Sequence, residues 1–264
     1  MEIVDHRMVG SLRVDLLDRA RSGAVDGVGA AFQTSTIEAL LDGAYEGDLT
    51  IGEILAHGDL GIGTLDHLDG ELIVVDGTAF VATADGALRA VPDGVGTPFA
   101  VVCPFEPGPP IALPPCGDLR ALTAAVDAVA PAAPVLAVRI DGRFGRVVVR
   151  SVARQEPPYP PLREVVAHQR EWVLSDLTGT LVGFRFPDTT GGLEVPGWHL
   201  HVVDDARTAG GHVMDVAVET ATLRAVATDD LHVEVPSSIG RIDLGAGPDR
   251  RSEIDVVEGH GRPP

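Results

Sequence analysis

The segment from residue 198 to residue 212 constrains the fold more than any other part of the chain. His199 and His201 are separated by one residue in an apolar run, so on a β-strand their imidazoles project from the same face. Asp204-Asp205 and Gly210-Gly211 follow, and these residue types favour a reversal of the chain. The sequence therefore predicts a β-hairpin that brings His212 back beside the first two histidines.

Three imidazoles in this arrangement indicate a metal site and a metalloenzyme. Three protein ligands leave one coordination position open for substrate, whereas structural zinc has four protein ligands. The alternative is three ordinary strand histidines. We favour the metal site because three of the nine histidines of the chain fall within fourteen residues at a spacing that suits a hairpin.

Composition excludes several classes of function. The chain has 264 residues and a formal net charge of −19, which would repel a nucleic acid backbone. No apolar run is long enough to span a membrane, and charged residues interrupt the first 25 residues, so neither a membrane protein nor a secretory signal is predicted. We expect a soluble cytoplasmic protein. Cys103 and Cys116 lack a CxxC partner and are read as free thiols, with a disulfide as the alternative.

All twenty basic residues counted as Lys or Arg are arginine. A chain without lysine cannot form a Schiff base with a ketone or hold pyridoxal phosphate, and it lacks a GxxxxGK[ST] phosphate loop. If the protein breaks a carbon–carbon bond next to a carbonyl, a Lewis-acidic metal is the obvious electron sink.

Periodicity and turn signals predict strands and short helices in both halves of the chain, which indicates an α/β (α+β) fold class. Asp76-Gly77 and Asp85-Gly86 punctuate an antiparallel meander over residues 71–91. Capping boxes at residues 35–38 and 50–53 open short helices. Longer helices are predicted at 118–129 and 162–173, and further strands at 135–140 and 146–151 (joined by a turn at Asp141-Gly142), 179–186, 198–203, 212–219 and 231–235.

The proline-rich passage that begins at Arg154 predicts a linker between domains. We divide the chain into a leader of uncertain order (residues 1–30), an N-terminal α/β domain (31–153) and a C-terminal metal-binding domain (154–264).

Other residues that could carry chemistry are ambiguous from the pattern alone. Arg150 ends an apolar strand and could clamp a substrate carboxylate, although spacing favours a surface or ion-paired arginine. Glu71 and Glu258 are unremarkable by themselves. No GxSxG elbow supports a hydrolase. The remaining histidines have no paired partner and are read as non-ligands: His6, His57, His67, His168, His232 and His260.

Several blocks of the chain, in order, resemble the α-acetolactate decarboxylase family. They span residues 33–258 and comprise Gln33-Thr34-Ser35-Thr36-Ile37, residues 40–47, residues 57–64, Leu68-Asp69-Gly70-Glu71-Leu72, Arg150-Ser151-Val152, Pro158-Tyr159, residues 179–184, Gly197-Trp198-His199-Leu200-His201 and Gly210-Gly211-His212.

The resemblance implies a site and an assembly that the pattern alone does not show. It implies zinc held by His199, His201 and His212, with Glu71, Arg150 and Glu258 around it, Thr64 at the edge of the site, and a homodimer. It also implies a two-domain fold with a mixed β-sheet and flanking helices in each part and the metal site on β-strands of the C-terminal half. Glu253 competes with Glu258 for the same family position, because the C-terminal tail has few landmarks.

The resemblance also implies zinc-dependent decarboxylation of 2-acetolactate (2-hydroxy-2-methyl-3-oxobutanoate) to acetoin and CO2. Arg150 would orient the carboxylate, zinc would act as the electron sink for an enediolate, and Glu71 or Glu258 would return a proton. Two alternatives stay open. HxH followed by a later histidine also describes a cupin-like metal oxygenase, and a non-catalytic module could use the same pocket to capture a small acid.

Overall fold

Two β-sheets organise the chain in the computed structural model, which describes residues 3–9, 12–18, 29–190, 192–235 and 248–258. The strands are β1 (Ile3–Val9), β2 (Leu12–Asp18), β3 (Ala31–Thr34), β4 (Leu49–Thr50), β5 (Leu60–Thr64), β6 (Glu71–Val75), β7 (Thr78–Ala82), β8 (Leu88–Ala90), β9 (Gly96–Thr97), β10 (Phe99–Cys103), β11 (Ile111–Leu113), β12 (Val135–Ser151), β13 (Arg170–Phe186), β14 (Gly197–Asp204), β15 (Gly210–Thr228) and β16 (Asp230–Val235). The helices are α1 (Ile37–Leu41), α2 (Ile51–Leu55), α3 (Leu119–Val129), α4 (Leu162–Val166) and α5 (Pro248–Val257), with 3-10 turns at Asp66–Leu68 and Asp188–Thr190.

The first sheet has nine strands in the order β1-β2-β16-β3-β10-β5-β6-β7-β8. It is mixed, because β16 runs parallel to both β2 and β3 while the other neighbours are antiparallel. The predicted meander is confirmed as β6, β7 and β8. Asp76 and Gly77 have φ values of 51° and 69°, as a tight two-residue hairpin turn requires.

The second sheet has the order β11-β15-β12-β13-β14, and β14 also pairs with β15. Four long strands therefore close on themselves. On one face of these strands, the side chains pack against one another and against the amphipathic α3, through residues such as Phe144, Leu181 and Leu122. The other face packs on the nine-stranded sheet, where Phe184 and Ile73 share one apolar cluster. The predicted mixed-sheet fold class is confirmed.

Two predicted elements are wrong. β12 runs without a break through Asp141-Gly142, because both of its edges are paired, with β13 and with β15. Gly142 does not form a turn. It allows β12 and β15 to approach closely, since a Cβ at this position would lie 2.3 Å from the carbonyl oxygen of Thr220. The helix predicted over residues 162–173 ends at Val166, because the chain from Arg170 onward pairs with β12 as β13.

The two short helices near the N-terminal end are confirmed, although one cap is shifted. Thr50 and Glu53 form the predicted capping box of α2. The N-cap of α1 is Thr36, which accepts from the N–H of Ala39, and Ser35 precedes it with φ 64°.

The division into two domains stays a prediction, as does the leader over residues 1–30. β12 precedes the proposed boundary at residues 153 and 154 but pairs with strands that follow it, whereas β16 returns to the nine-stranded sheet. Within the leader, β1 and β2 pair with each other, and β2 joins the first sheet beside β16. Cys103 and Cys116 are both free thiols. In the described part of the chain, no helix is long and apolar enough to cross a bilayer.

Candidate metal centre

The hairpin predicted around the three histidines is present as β14 and β15, with His201 directly opposite His212. Nε2 of His199 lies 3.2 Å from Nε2 of His201 and 3.1 Å from Nδ1 of His212. All three side chains are buried. Among the described residues, these three histidines form the group of side chains placed closely enough to hold a metal ion, and each offers one nitrogen ligand.

The three imidazoles fit a cation. Zinc–nitrogen bonds of 2.0–2.1 Å in a tetrahedron would separate two ligand nitrogens by about 3.4 Å, close to the distances seen. Nδ1 of His201 lies 2.8 Å from the carbonyl oxygen of Leu72 and donates to it, which leaves the Nε2 lone pair directed at the cluster. Burial, followed by the neighbouring His199, lowers the pKa of His201 well below its usual value. The neutral imidazole that results is the form that binds metal.

A β-bulge in β15 decides which side chains face this cluster. Val148 pairs with Asp215, but Val149 pairs with Val213, so one extra residue stands on β15. Val213 packs in the apolar cluster on the opposite face. The bulge thereby allows His212 to lie opposite Arg150 on the face of the histidines.

Two glutamates approach the imidazoles from different elements. Glu71 starts β6, and its Oε2 lies 3.6 Å from Nε2 of His201. Glu258 follows α5, and its Oε2 lies 3.7 Å from Nε2 of both His199 and His212. Both carboxyl groups are buried. Burial raises the pKa of Glu71 to about 7, partly offset by Arg150.

Between the two candidates near the C-terminal end, Glu258 is the one that reaches the site. Glu258 lines the cavity beside the histidines, together with Val257 from α5. Glu253 is half-buried within α5, five residues before Glu258, and it is not among the cavity residues.

Arg150 is only 4% exposed, so it is not a surface arginine, but it does form the ion pair that the same alternative allowed, with Glu258. Its Nη2 lies 3.9 Å from Oε1 of Glu258, and its Nη1 donates to Oε1 of Gln169 at 3.2 Å. Thr64 pairs with Glu71 between β5 and β6 and donates through Oγ1 to the carbonyl of Gly70. Both Arg150 and Thr64 line the same cavity as His199.

Most of the cavity wall is apolar and was missed by sequence reasoning. It is formed by side chains of α1, α4, α5 and nearby strands, namely Ile37, Leu40, Leu68, Phe99, Val152, Leu162, Val166 and Val257. An apolar residue on a short helix carries no signal that separates a cavity wall from an ordinary core, so the pattern could not have identified these positions. Gln169 carried no signal either.

The histidines read as non-ligands lie apart from the metal cluster wherever the structure describes their side chains. His57 stacks on Phe32, with ring centroids 3.8 Å apart. Nδ1 of His67 contacts the hydroxyl of Tyr159, and His232 pairs with Asp15. His168 bonds the carbonyl of Glu164. The side chain of His6 and all of His260 lie outside the described residues.

The fold and site together define a class of mixed-sheet proteins in which three clustered strand histidines lie beside two buried carboxyl groups and a buried arginine, at the wall of an apolar cavity. The sequence profile of the alpha-acetolactate decarboxylase family matches residues 31–240. The chain belongs to the alpha-acetolactate decarboxylase family.

Individual relatives agree along most of their length. The chain is 46% identical to the alpha-acetolactate decarboxylase of Methylococcus capsulatus over 228 residues, which is 86% of this chain and 88% of that protein. It is 34% identical to the enzyme of Bacillus subtilis over 88% of this chain and 92% of that one. The crystal structure of alpha-acetolactate decarboxylase from Bacillus subtilis superposes with a TM-score of 0.82, covering 87% of this chain and 99% of that one.

Proposed function

We propose that this protein decarboxylates 2-acetolactate to acetoin and CO2, with zinc held by His199, His201 and His212. The observation that carries the proposal is the cluster of three buried imidazoles, which has Glu71 and Glu258 beside it and shares one cavity with Arg150 through His199. The names of the relatives support the same substrate and reaction.

Arg150 would bind the substrate carboxylate. A guanidinium offers planar, paired N–H donors that match a carboxylate, and a buried arginine next to an apolar wall is weakly screened by water. By fixing the carboxylate, Arg150 would select the conformer in which the breaking bond stands perpendicular to the plane of the neighbouring ketone. In that conformer the electron pair left by CO2 can enter the carbonyl group.

The rest of the reaction is a redistribution of one electron pair and one proton. The bond between the carboxylate carbon and C2 breaks, CO2 departs, and the pair becomes a carbon–carbon double bond between C2 and the former ketone carbon. Zinc, when bound, supplies Lewis-acid stabilisation of the negative charge that develops on the substrate oxygens. Glu71 or Glu258 would then donate a proton to C2 to form acetoin.

The apolar wall would keep bulk water away from this step. Leu40, Phe99 and Val166 come from three different elements and line the same cavity as His199. Exclusion of water strengthens the electrostatic contacts inside and directs the proton to come from a carboxyl group rather than from solvent.

The test is acetoin release from racemic acetolactate by purified protein, first as prepared, then after chelation, then after zinc is restored. We expect activity to fall with chelation and to return with zinc. Replacement of any one histidine, for example His201→Ala, should abolish tight metal binding and turnover together. Acetoin no faster than the spontaneous rate, with zinc confirmed in the protein, would contradict the proposal. A His201→Ala variant that kept both metal and turnover would contradict the assignment of the ligands.

Family membership favours the decarboxylase over the cupin-like oxygenase, which would consume oxygen and leave acetolactate intact. It favours an enzyme over a non-catalytic acid-binding module in the same way. The cytoplasmic location and the homodimer stay predictions. Light scattering of the purified protein would test the homodimer, since a monomer mass would contradict it.

A further inference from the structure

The guanidinium of Arg150 is held by a side chain that lies outside the cavity. Nη1 of Arg150 donates to Oε1 of Gln169 at 3.2 Å. Gln169 stands between α4 and β13, where its own N–H donates to the carbonyl of Val166. Gln169 is half-buried and is not one of the residues that line the cavity. Its side chain therefore reaches the cavity through its hydrogen bond to Arg150.

A second contact fixes the orientation of the Gln169 amide. Its Nε2 donates to Oε1 of Glu171 at 2.6 Å. Only the NH2 group of an amide can donate to a carboxylate, and only its oxygen can accept from a guanidinium, so both neighbours select the same orientation. Glu171 pairs with Arg150 across β12 and β13, which keeps the three side chains in register.

Arg150 retains donors for an anion while it is held in this way. Its Nε is buried and makes no hydrogen bond to the described residues. Its Nη2 is 3.9 Å from Glu258, beyond hydrogen-bond distance. A neutral acceptor behind the guanidinium fixes its plane without cancelling its positive charge, whereas a carboxylate at the same place would compete with the anion.

We propose that Gln169 is a positioning residue, which fixes the Arg150 guanidinium to receive the carboxylate of a small hydroxy acid. The identity of that acid as acetolactate rests on the proposed function, but the contact between Gln169 and Arg150 does not. Glu171 has a lesser part, because its side chain is exposed and water screens its contact with the amide.

The experiment compares the binding of two small molecules by calorimetry, in protein of equal zinc content. One is 2-hydroxy-2-methylpropanoate, which has the carboxylate and hydroxyl but no ketone to accept electrons. The other is acetoin, which has no carboxylate. Gln169→Leu removes the acceptor, and Gln169→Glu keeps its size but adds a negative charge. Gln155→Leu is the matched control, because the Gln155 amide donates to the carbonyl of Ala153 and has no contact with Arg150.

We expect Gln169→Leu to weaken binding of the acid by roughly tenfold, the scale of a hydrogen bond to a charged group. Acetoin has no carboxylate, so its binding needs no guanidinium. The variant should therefore bind acetoin with an affinity within about twofold of that of the original protein. Gln169→Glu should weaken binding of the acid at least as much, so the inference stays testable if the leucine variant does not fold. In turnover, KM should rise more than kcat falls.

Three results would overturn the inference. The first is an unchanged affinity of both variants for the acid. The second is an equal loss of affinity for the acid and for acetoin, which would indicate a general distortion of the site. The third is that the original protein does not bind the acid. Failure of the proposed function looks different. In that case the acid binds and responds to Gln169, but acetolactate is not turned over.

Discussion

Gly183 lies where β13 passes closest to the strand that carries two of the histidines, so Gly183→Ala tests how tightly the backbone sets the metal centre. Gly183 pairs with Leu200, between His199 and His201. A Cβ at this position would lie 2.0 Å from the carbonyl oxygen of His199, where a separation below 3.0 Å essentially never occurs. Gly183 is not in the left-handed region, so the added methyl group brings steric conflict without backbone strain.

The strands must therefore separate locally by about 1 Å, while metal–ligand distances tolerate about 0.2 Å. We expect the free energy of unfolding to fall by about 1–3 kcal/mol, as in overpacked cores. At roughly 2–4 °C per kcal/mol for a domain of 150–250 residues, the melting temperature should drop by several degrees. Zinc affinity should fall by about tenfold or more, the scale seen when support of metal ligands is lost.

Urea denaturation and zinc titration against a competing chelator would measure both effects. Gly142→Ala is the matched control, because its Cβ would meet the carbonyl of Thr220 at 2.3 Å in the same ring of strands but away from the histidines. It should destabilise the fold and leave zinc affinity nearly unchanged. Gly94→Ala, with no atom within 4 Å of the new Cβ, should do neither. Zinc affinity at the original level in Gly183→Ala, or an equal loss in Gly142→Ala, would refute the reasoning.

Three other outcomes are expected. Chelation should lower the melting temperature in calorimetry and excess zinc should restore it, because a ligand at a hundred times its Kd stabilises the folded state by about 2.7 kcal/mol; an unchanged melting temperature would argue against a bound metal. Glu71→Gln and Glu258→Gln should keep zinc, and the variant that loses the proton donor should lower kcat by roughly 10²–10⁴-fold; original rates in both would remove the carboxyl groups from the mechanism. Burial raises the pKa of Glu194 to about 8 from its usual value of 4.5. The folded state then binds the extra proton between these values, and stability falls as pH rises through that window. Glu194→Gln should therefore be increasingly stabilising relative to the original protein from pH 5 to pH 8.5, by up to about 1.4 kcal/mol per unit, and a pH-independent difference in urea denaturation would contradict this.

The local part of the candidate site could be predicted from the sequence. Alternation on a strand places His199 and His201 on one face, and the turn residues after them bring back His212. Glu71 and Glu258 could be assigned only through the family resemblance, because nothing in the spacing of a single carboxylate marks its role. The structure places both glutamates beside the histidines.

The non-local part could not be predicted. Asp141-Gly142 is a strong turn signal by itself, yet pairing along both edges of β12 overrides it. The helical spacing after Leu162 continues past the end of α4, because the apolar positions of a short segment suit either a helix or a strand. Gln169 acts through a contact to a residue nineteen positions earlier, and a pattern along the chain does not show such a contact.

The bulge in β15 has a consequence for how such a site is encoded. Val213 and Val216 lie on either side of Met214 and face the same core, although residues three apart on a regular strand face opposite sides. Because of this change of phase, His212 faces the other two histidines. Deletion of Met214 would make the pairing regular and keep His212 opposite Arg150, whereas one residue inserted beside Met214 without a second bulge would turn His212 toward the core, since a shift of one residue exchanges the two faces of a strand. Two chains with the same three histidines could therefore differ in their capacity to hold a metal by the length of one strand alone.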